Sequence, residues 1–420
     1  MDILTPAMDH SSFDRRKMGL VILICAAQVL VQIGAFFWPA LLPGMMLLWN
    51  LSNSEAGWIT AIFYGAYMLS VPLLVTLTDR LDPKSVYLFG VGATIFGHLA
   101  FGVYAEGFWS AMAARALAGF GWAGTYMTGL KLLSDLVDAR TMSRATAGHA
   151  ASIGVSGALS FATGDLIASY AGWEVAFIAA SVSAIIAWAI VFLGVPNQSI
   201  PVTSLPETKS LYDFRPVLKN RSAMAYSIAY GIHTLEMSAV RGWAIAFLSY
   251  VAISRDEAGH LIAPAIIATT LGLIGAVASV TGNEISIRFG RRKLIQTAMV
   301  TSILLGGSIG FIGSLSYLTA TILLVIYGIA IWLDSSSLTA GSAGTADPAR
   351  RGQTLAVHSM MGYAGGFIGP IIIGWTLDLA GGMSGKSWGL AFMIVAVLNA
   401  FALIIFWRLR PKELEGDRRP

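Results

Sequence analysis

The stretch covering residues 230–248 is mostly apolar and about as long as a spanning helix, yet it contains His233, Glu236 and Arg241. An ionisable group at bilayer depth is costly, and it usually faces a partner or a water-filled cavity. A guanidinium can bind a carboxylate or a similar oxyanion with two parallel hydrogen bonds. A buried carboxyl group can bind and release a proton near neutral pH. The stretch therefore indicates anion binding combined with proton transfer.

The spacing of these three side chains separates their directions on a helix. At about 100° per residue, His233 lies about 60° from Glu236 and about 80° from Arg241. Glu236 and Arg241 are then about 140° apart. This geometry favours separate duties over an ion pair within the helix, with Arg241 directed to a substrate and Glu236 to a proton or to another helix.

The composition is that of a membrane protein with many spans. Of the 420 residues, 56% are hydrophobic and only 12% are charged, whereas a soluble domain is about 25% charged. The mean hydropathy of +0.70 agrees. A spanning helix needs about 20 apolar residues. Runs without Asp, Glu, Lys or Arg cover residues 18–54, 56–78, 85–105, 145–164, 258–283, 294–333, 352–377 and 387–407.

These runs predict an all-α membrane protein with twelve transmembrane helices in two six-helix bundles. The predicted helices are 18–48, 55–78, 84–105, 108–136, 142–170, 173–194, 222–252, 257–286, 292–313, 317–345, 352–380 and 387–408. The predicted regions are an N-terminal cytoplasmic segment (1–17), a first bundle (18–195), a cytoplasmic linker (196–221), a second bundle (222–408) and a cytoplasmic tail (409–420).

The basic residues test this helix count. Of the 27 Lys and Arg residues, Arg115 and Arg241 lie within predicted helices, and only Arg255 and Lys386 fall on outer loops if the N-terminus is inside. The remainder fall on the inner side, as the positive-inside rule requires. We therefore predict a multi-pass protein of the inner (plasma) membrane with both termini in the cytoplasm. The net charge of +4 reflects topology and does not indicate nucleic-acid binding.

The two predicted bundles also share a sequence pattern. Ser-Glu-Ala-Gly at residues 54–57 opens helix 2, and Asp-Glu-Ala-Gly at 256–259 opens helix 8. His149 and His358 occupy equivalent positions at the starts of helices 5 and 11. Such a duplication is a common plan of secondary transporters, in which the binding site lies between the repeats.

Three motifs resemble those of the major facilitator superfamily of secondary transporters. The segment at residues 77–84, Leu-Thr-Asp-Arg-Leu-Asp-Pro-Lys, resembles the loop motif G-x-x-x-D-R-x-G-R-R/K between helices 2 and 3. Arg-Phe-Gly-Arg-Arg at 288–292 resembles its second-half copy, and Arg-Ala-Leu-Ala-Gly-Phe-Gly at 115–121 resembles the helix 4 element. The resemblance covers nearly the whole chain and implies alternating access between two bundles.

The resemblance implies a gating role for the loop motifs on the cytoplasmic side. It assigns Asp79 and Arg80 to the gate of the first half, and Arg288 and Arg292 to that of the second. A carboxylate such as that of Asp79 is stabilised at a helix N-terminus. The alternative is that these residues are ordinary solvated loop charges.

In the superfamily, helices 1, 4, 7 and 10 line the central cavity, which implies a set of substrate-binding residues on those helices. These are Gln28, Gln32, Arg115, Trp122, Tyr126, His233, Arg241, Tyr327 and Trp332.

Two of these residues, Arg115 and Arg241, are expected to face the cavity and to attract an anion. In the alternative, both arginines are structural and pair with Glu236, Asp334 or a backbone carbonyl. For proton coupling we expect Glu236 first and Asp334 second. Asp165, Asp378 and Glu106 fall near outer helix ends and are expected to be solvated.

The sequence predicts a transporter and no enzyme. It has no phosphate-binding loop and no metal-binding spacing such as H-E-x-x-H, so we expect no cofactor and no metal. We predict proton-coupled symport of a small carboxylate-type organic anion by a monomer in the lipid bilayer. The alternative is a proton-coupled efflux antiporter for amphiphilic compounds. Helix 5 lacks the Gly-Pro signature of drug antiporters, which disfavours that alternative.

Overall fold

The computed structural model describes residues 10–78, 80–197, 213–257, 262–415 and 417. The described residues form α-helices joined by short turns, one 3₁₀ turn at Pro348–Arg350, and no β-strand. The helices are α1 (His10–Gln32), α2 (Phe37–Leu48), α3 (Asn53–Leu77), α4 (Pro83–Tyr104), α5 (Phe108–Ala123), α6 (Tyr126–Leu136), α7 (Ala139–Ala171), α8 (Trp173–Gly194), α9 (Arg215–Lys219), α10 (Arg221–Ser254), α11 (Pro264–Phe289), α12 (Arg291–Gly313), α13 (Tyr317–Leu333), α14 (Ser335–Gly344), α15 (Arg351–Leu379) and α16 (Gly385–Leu409).

The predicted all-α membrane fold is confirmed. Within the described ranges, eleven helical stretches are long and apolar enough to cross a membrane. The one predicted helix that is not among these eleven is helix 4, which consists of α5 and α6. It carries Arg115, Lys131 and Asp135, which lower its hydropathy. The first bundle consists of α1–α8 and the second of α10–α16. Most of the predicted linker, residues 198–212, lies outside the described residues.

Three of the predicted helices are broken near their middle, which the hydropathy pattern did not predict. Helix 1 divides into α1 and α2, helix 4 into α5 and α6, and helix 10 into α13 and α14. At the first break, Nη1 of Arg115 donates to the Ala35 carbonyl at 3.0 Å. The Phe36 N–H donates to the Ser160 hydroxyl at 2.8 Å. Side chains from neighbouring helices thus satisfy backbone groups that the break releases, as a membrane interior requires.

The bundle has two ends, for which we use fixed names. The terminal face is the end at which α1 begins and α16 ends; the distal face is the opposite end. The two halves pack mainly through α3 with α15, α7 with α11, and α2 with α10. Small residues permit the approach: a Cβ atom on Gly57 would lie 2.6 Å from the Pro370 carbonyl oxygen, and one on Gly272 would lie 2.8 Å from the Ala158 Cβ.

The C-terminal tail is folded against the terminal face of the second half. The guanidinium of Arg291 is 2% exposed and donates from Nε and Nη2 to the carboxylate of Asp417, at 3.0 Å each. The Glu413 carboxylate accepts from the Arg291 N–H at 2.8 Å, at the start of α12. The Tyr226 hydroxyl donates to the Lys412 carbonyl at 2.8 Å. The tail therefore joins α10 and α12.

Candidate functional site

A cavity of about 220 Å³ lies between the two halves near the middle of the bundle. Helices of both halves contribute to its wall, including the breaks in helices 1, 4 and 10. Six of the nine predicted substrate-binding residues line it: Gln32, Trp122, Tyr126, His233, Arg241 and Trp332.

Arg241 carries the one permanent charge among the residues that line this cavity. Its guanidinium carbon lies 5.1 Å from the ring centroid of Phe36, in the first half, and 4.8 Å from that of Trp332, in the second. Tyr64 of α3 lies next to it. Within the described part of the chain, no carboxylate lies within ion-pair distance of Arg241. Aromatic faces therefore hold this cation, and its donors other than the one directed at the Tyr64 hydroxyl stay available to a ligand.

Two further lining residues present hydrogen-bond donors without a described acceptor. These are Nε2 of Gln32 and Nε1 of Trp122. Trp122 stacks on Phe63 at 5.0 Å between ring centroids, which fixes its indole. Since a buried donor without an acceptor is costly, these groups favour a ligand that carries hydrogen-bond acceptors.

A histidine–aspartate pair forms one side of the cavity. Nδ1 of His233 lies 3.0 Å from Oδ1 of Asp334, and both residues are 5% exposed. The two atoms are at ion-pair distance but are not aligned as a hydrogen bond. The imidazole stacks on Tyr230 at 5.6 Å and meets the edge of Trp332 at 6.1 Å. Asp334 occupies the break between α13 and α14, which brings its carboxylate beside α10.

The structure places Glu236 away from the cavity. Its Oε1 accepts from the Tyr327 hydroxyl at 2.7 Å, and its Oε2 accepts from Nδ2 of Asn399 at 3.1 Å. Tyr327, which makes this hydrogen bond, is fully buried and does not line the cavity, although the sequence predicted that it contacts the substrate. Side chains in the interior of the second half therefore supply the hydrogen bonds of this carboxyl group.

Two other expected lining residues, Arg115 and Gln28, also lie elsewhere. Arg115 is 2% exposed; it donates to the Ala35 carbonyl, and its guanidinium lies 4.4 Å from the ring centroid of Phe63. Gln28 accepts from the Tyr87 hydroxyl at 3.3 Å within the first half. The structural alternative for Arg115, a bond to a backbone carbonyl, is the one that the structure shows. Arg241 has no such bond within the described ranges.

Arg80, Arg288 and Arg292, the predicted gating residues that the structure describes, lie at the terminal face in different environments. Asp79 lies outside the described residues, and Arg80 and Arg288 are exposed. The backbone N–H of Arg292 donates to Glu413 at 3.3 Å. These positions do not test the gating role, which stays a prediction.

Sequence reasoning missed two buried cations on this face, Arg291 and Lys84. Arg291 holds the tail. The ammonium group of Lys84 donates to the carbonyls of Phe192 and Val195, at 2.9 and 2.6 Å, and so caps the end of α8. Both residues belong to the loop motifs, and each directly follows a turn residue, Gly290 before Arg291 and Pro83 before Lys84. This position was the signal that could have identified them.

Lining residues that the sequence did not single out lie on helices 2, 5, 7, 10 and 11 and in the break of helix 1. None of them is Asp, Glu, Lys or Arg, so they carry no charge signal. They are Ala35, Phe36, Tyr64, Ala150, Ile153, Gly154, Gly157, Tyr230, Thr234, Met237, Ser335, Gly362, Tyr363 and Gly366.

Comparisons with known proteins agree with this architecture. A family model described as Major Facilitator Superfamily matches residues 23–340 and, in a second match, 226–420. Among curated proteins, the chain is 25% identical over 244 residues to human protein spinster homolog 1, covering 56% of this chain and 46% of that protein. It is 23% identical over 348 residues to the sphingosine-1-phosphate transporter SPNS2 of Xenopus tropicalis, covering 79% of this chain and 68% of that protein. The chain thus spans about half the length of the first of these relatives.

Two solved structures share the fold. A bacterial homolog of the human lysosomal transporter spinster, in an inward-facing and occupied conformation, matches with a TM-score of 0.76 and 14% identity. The match covers 94% of this chain and 96% of that one. The nucleoside transporter NupG matches with a TM-score of 0.71 and 15% identity, over 94% of this chain and 99% of that one.

Proposed function

The chain belongs to the major facilitator superfamily, and we propose that it moves an organic anion together with a proton by alternating access. It is a multi-pass membrane transporter; the anionic substrate, the proton and the direction are the parts that we propose. We further propose that it works as a monomer in the plasma membrane with its terminal face in the cytoplasm. The distribution of Lys and Arg supports that orientation.

The observation that carries the proposal is the environment of Arg241. Its guanidinium lies between Phe36 and Trp332, one from each half, and within the described residues it has no acidic partner. A cation that is held in place but not neutralised attracts an anion, and a guanidinium binds carboxylates and phosphates in a bidentate manner. Because the two rings belong to different halves, an anion bound to Arg241 would contact both halves of the protein.

The other groups at the cavity wall support the same substrate class. The donors of Gln32 and Trp122 suit acceptor oxygens. The surrounding rings of Tyr64, Tyr126 and Tyr363 suit an apolar or aromatic body. We therefore propose a monoanion with an apolar part. Asp334 and Glu236 are the acids that could carry the coupled proton.

The packing of the halves supports an inward-facing conformation of the transporter. Between the cavity and the distal face, Trp58 contacts Trp375 at 6.3 Å between ring centroids. At the distal face, Asp378 accepts hydrogen bonds from the first turn of α3. We propose that these contacts close the outside. Asp79, Arg80, Arg288 and Arg292 would then act at the opposite face when the cavity reverses its access.

Uptake into proteoliposomes tests the proposed function. Labelled acetate, lactate, benzoate and succinate are offered with and without an inward proton gradient. We expect uptake of at least one monocarboxylate, stimulated by the gradient. Arg241→Lys should weaken the apparent affinity by about tenfold, since one hydrogen bond to a charged group contributes about 1.5 kcal/mol or more. The matched control is Arg221→Lys, at an exposed position on the same helix. Unaltered affinity in Arg241→Lys would contradict the proposal.

A second candidate is an amphiphilic anion with a long apolar tail, moved outwards in exchange for protons. A small apolar chamber of about 30 Å³ adjoins the cavity at the α7–α11 seam and shares Gly157, Met237, Arg241 and Trp332 with it. The name of the SPNS2 relative gives sphingosine-1-phosphate as that protein's substrate. A tail would fit only if the seam widened, because the chamber has room for only a few water molecules. Extrusion of sphingosine-1-phosphate, with no uptake of any carboxylate, would favour this candidate.

A further inference from the structure

His233, with Asp334 beside it, opens onto the cavity, whereas Glu236 does not. His233 is a lining residue, and its Nδ1 lies 3.0 Å from the carboxylate behind it. When an imidazole directs one nitrogen to a carboxylate, the carboxylate orients the ring and stabilises its protonated form. The other nitrogen can then exchange a proton with the cavity. Glu236 is enclosed by Tyr327 and Asn399 and has no such access.

From this arrangement we propose that His233, oriented by Asp334, binds the coupled proton, and that one proton accompanies one monovalent anion. The inference rests on the proposed function for the anion but not for the proton site. It replaces Glu236 as the expected proton carrier and gives His233 a role other than substrate contact.

The stoichiometry follows from the charges around the cavity. With a neutral imidazole, the cation of Arg241 and the anion of Asp334 cancel. A bound monoanion alone leaves one negative charge, and a bound proton alone leaves one positive charge. The two together restore neutrality. Because an unbalanced charge is costly in a water-excluded interior, the cavity can close when it is empty or when it holds both ligands. Either ligand therefore raises the affinity for the other, since such coupling is reciprocal.

One shared side chain links the two cationic groups. His233 and Arg241 are eight residues apart on α10, or about 12 Å along the helix axis. The indole of Trp332 contacts both: it lies 4.8 Å from the guanidinium carbon and 6.1 Å from the centroid of the imidazole. The anion site and the proton site are thus adjacent parts of one wall, and Trp332 is positioned to report on both.

The groups around His233 on every packed helix are consistent with this assignment. Tyr230 separates its ring from the imidazole of His358, which lies on α15 and stacks on the opposite side at 4.1 Å. The carboxylate of Asp334 lies at the α13–α14 break, and the cation of Arg241 lies two turns away. Tyrosines are the remaining titratable groups of the described cavity wall: Tyr64 on α3, Tyr126 on α6 and Tyr363 on α15.

The fluorescence of Trp332 tests the proton site without any substrate. A protonated imidazole next to an indole quenches its emission, so the difference between the wild-type protein and Trp332→Phe should show a quenching transition with falling pH. We expect His233→Gln to abolish this transition. Asp334→Asn removes the carboxylate that orients the imidazole next to Trp332, so the amplitude of the quenching should fall. Glu236→Gln should retain it. A transition that persists in His233→Gln and disappears in Glu236→Gln would overturn the assignment.

Transport measurements test the stoichiometry. In proteoliposomes, uptake of a labelled monocarboxylate should respond to the pH gradient but not to a membrane potential set with valinomycin. In His233→Gln, stimulation by the gradient should be lost, and the remaining uptake should be slower and should depend on the potential, because the anion then crosses without a compensating proton. Retained stimulation in this variant would overturn the inference. If the wild-type protein takes up no carboxylate, the proposed substrate class fails, and the fluorescence result still decides the proton site.

Discussion

Asp378, at the distal end of α15, caps the first turn of α3 in the other half through Ser54. Its Oδ2 accepts from the Ser54 N–H at 2.7 Å and from the Ser54 hydroxyl at 2.5 Å. Its Oδ1 accepts from Nδ2 of Asn53 at 2.7 Å. The expectation that Asp378 is simply solvated was therefore wrong, because the helix end to which it belongs meets a helix N-terminus of the other half. A carboxylate is stabilised at such a position.

Asp378→Asn should weaken the closure of the distal face. One charge-assisted hydrogen bond contributes about 1.5–3 kcal/mol, so its loss should raise the population of distally open molecules by about tenfold or more. The reporter is Tyr64→Cys in a Cys25→Ser background, labelled by an impermeant maleimide added on the distal side.

Asp165→Asn is the control for this measurement. Asp165 lies in the distal part of α7, and no hydrogen bond of its side chain is described. Equal labelling rates in Asp378→Asn and in the unmodified reporter would show that the contact does not hold the halves together.

Arg115→Gln should reduce stability and leave anion affinity nearly unchanged. The buried guanidinium donates to the Ala35 carbonyl at the α1–α2 break. Its loss should cost about 1.5–3 kcal/mol, the range for a hydrogen bond to a charged group. Thermal unfolding in detergent measures this against Arg144→Gln, at an exposed position. A stable Arg115→Gln protein that has lost anion binding would instead support the earlier expectation of substrate contact.

Asp417→Asn should destabilise the terminal face by roughly 3 kcal/mol, because it leaves the buried cation of Arg291 without its carboxylate. The same unfolding assay applies. Glu415→Gln, two residues earlier in the tail and exposed, should have little effect. Similar unfolding temperatures for the two variants would mean that the Arg291–Asp417 pair contributes little to folding.

Gly365→Ala should disrupt the packing of α10 on α15. A Cβ atom there would lie 1.9 Å from the Gly231 carbonyl oxygen and 2.8 Å from Oγ1 of Thr234. Relieving this overlap requires the backbones to separate, which should cost about 1–3 kcal/mol. Gly352→Ala, in the first turn of the same helix, meets no atom within 4 Å and should be neutral or slightly stabilising. Unfolding temperatures in detergent distinguish the two. A Gly365→Ala protein as stable as wild type would refute the close contact.

Helix number and fold class could be predicted because they depend on local properties of the chain. A run of apolar residues must span the bilayer wherever it occurs, and each Lys or Arg on a loop favours one side independently of the others. The 140° separation of Glu236 and Arg241 was likewise a property of one helix. The structure indeed directs Arg241 to the cavity and Glu236 to Asn399.

Depth and rotation about the helix axis decide which residues reach the cavity, and contacts between distant segments set both. Gln28 and Gln32 share a helix face, but Gln28 lies one turn away and bonds to Tyr87, whereas Gln32 lines the cavity. Tyr327 and Trp332 are about 140° apart on one helix, so only Trp332 faces the cavity.

The sequence by itself thus determined the spans, the duplication and the presence of ionisable residues within the membrane, since each is a property of residue type and local spacing. Tertiary structure alone decided the breaks in helices 1, 4 and 10. It also decided the hydrogen bond between Asp378 and Ser54 and the pairing of His233 with Asp334. Each of these depends on two segments far apart in the chain that meet only when the helices pack.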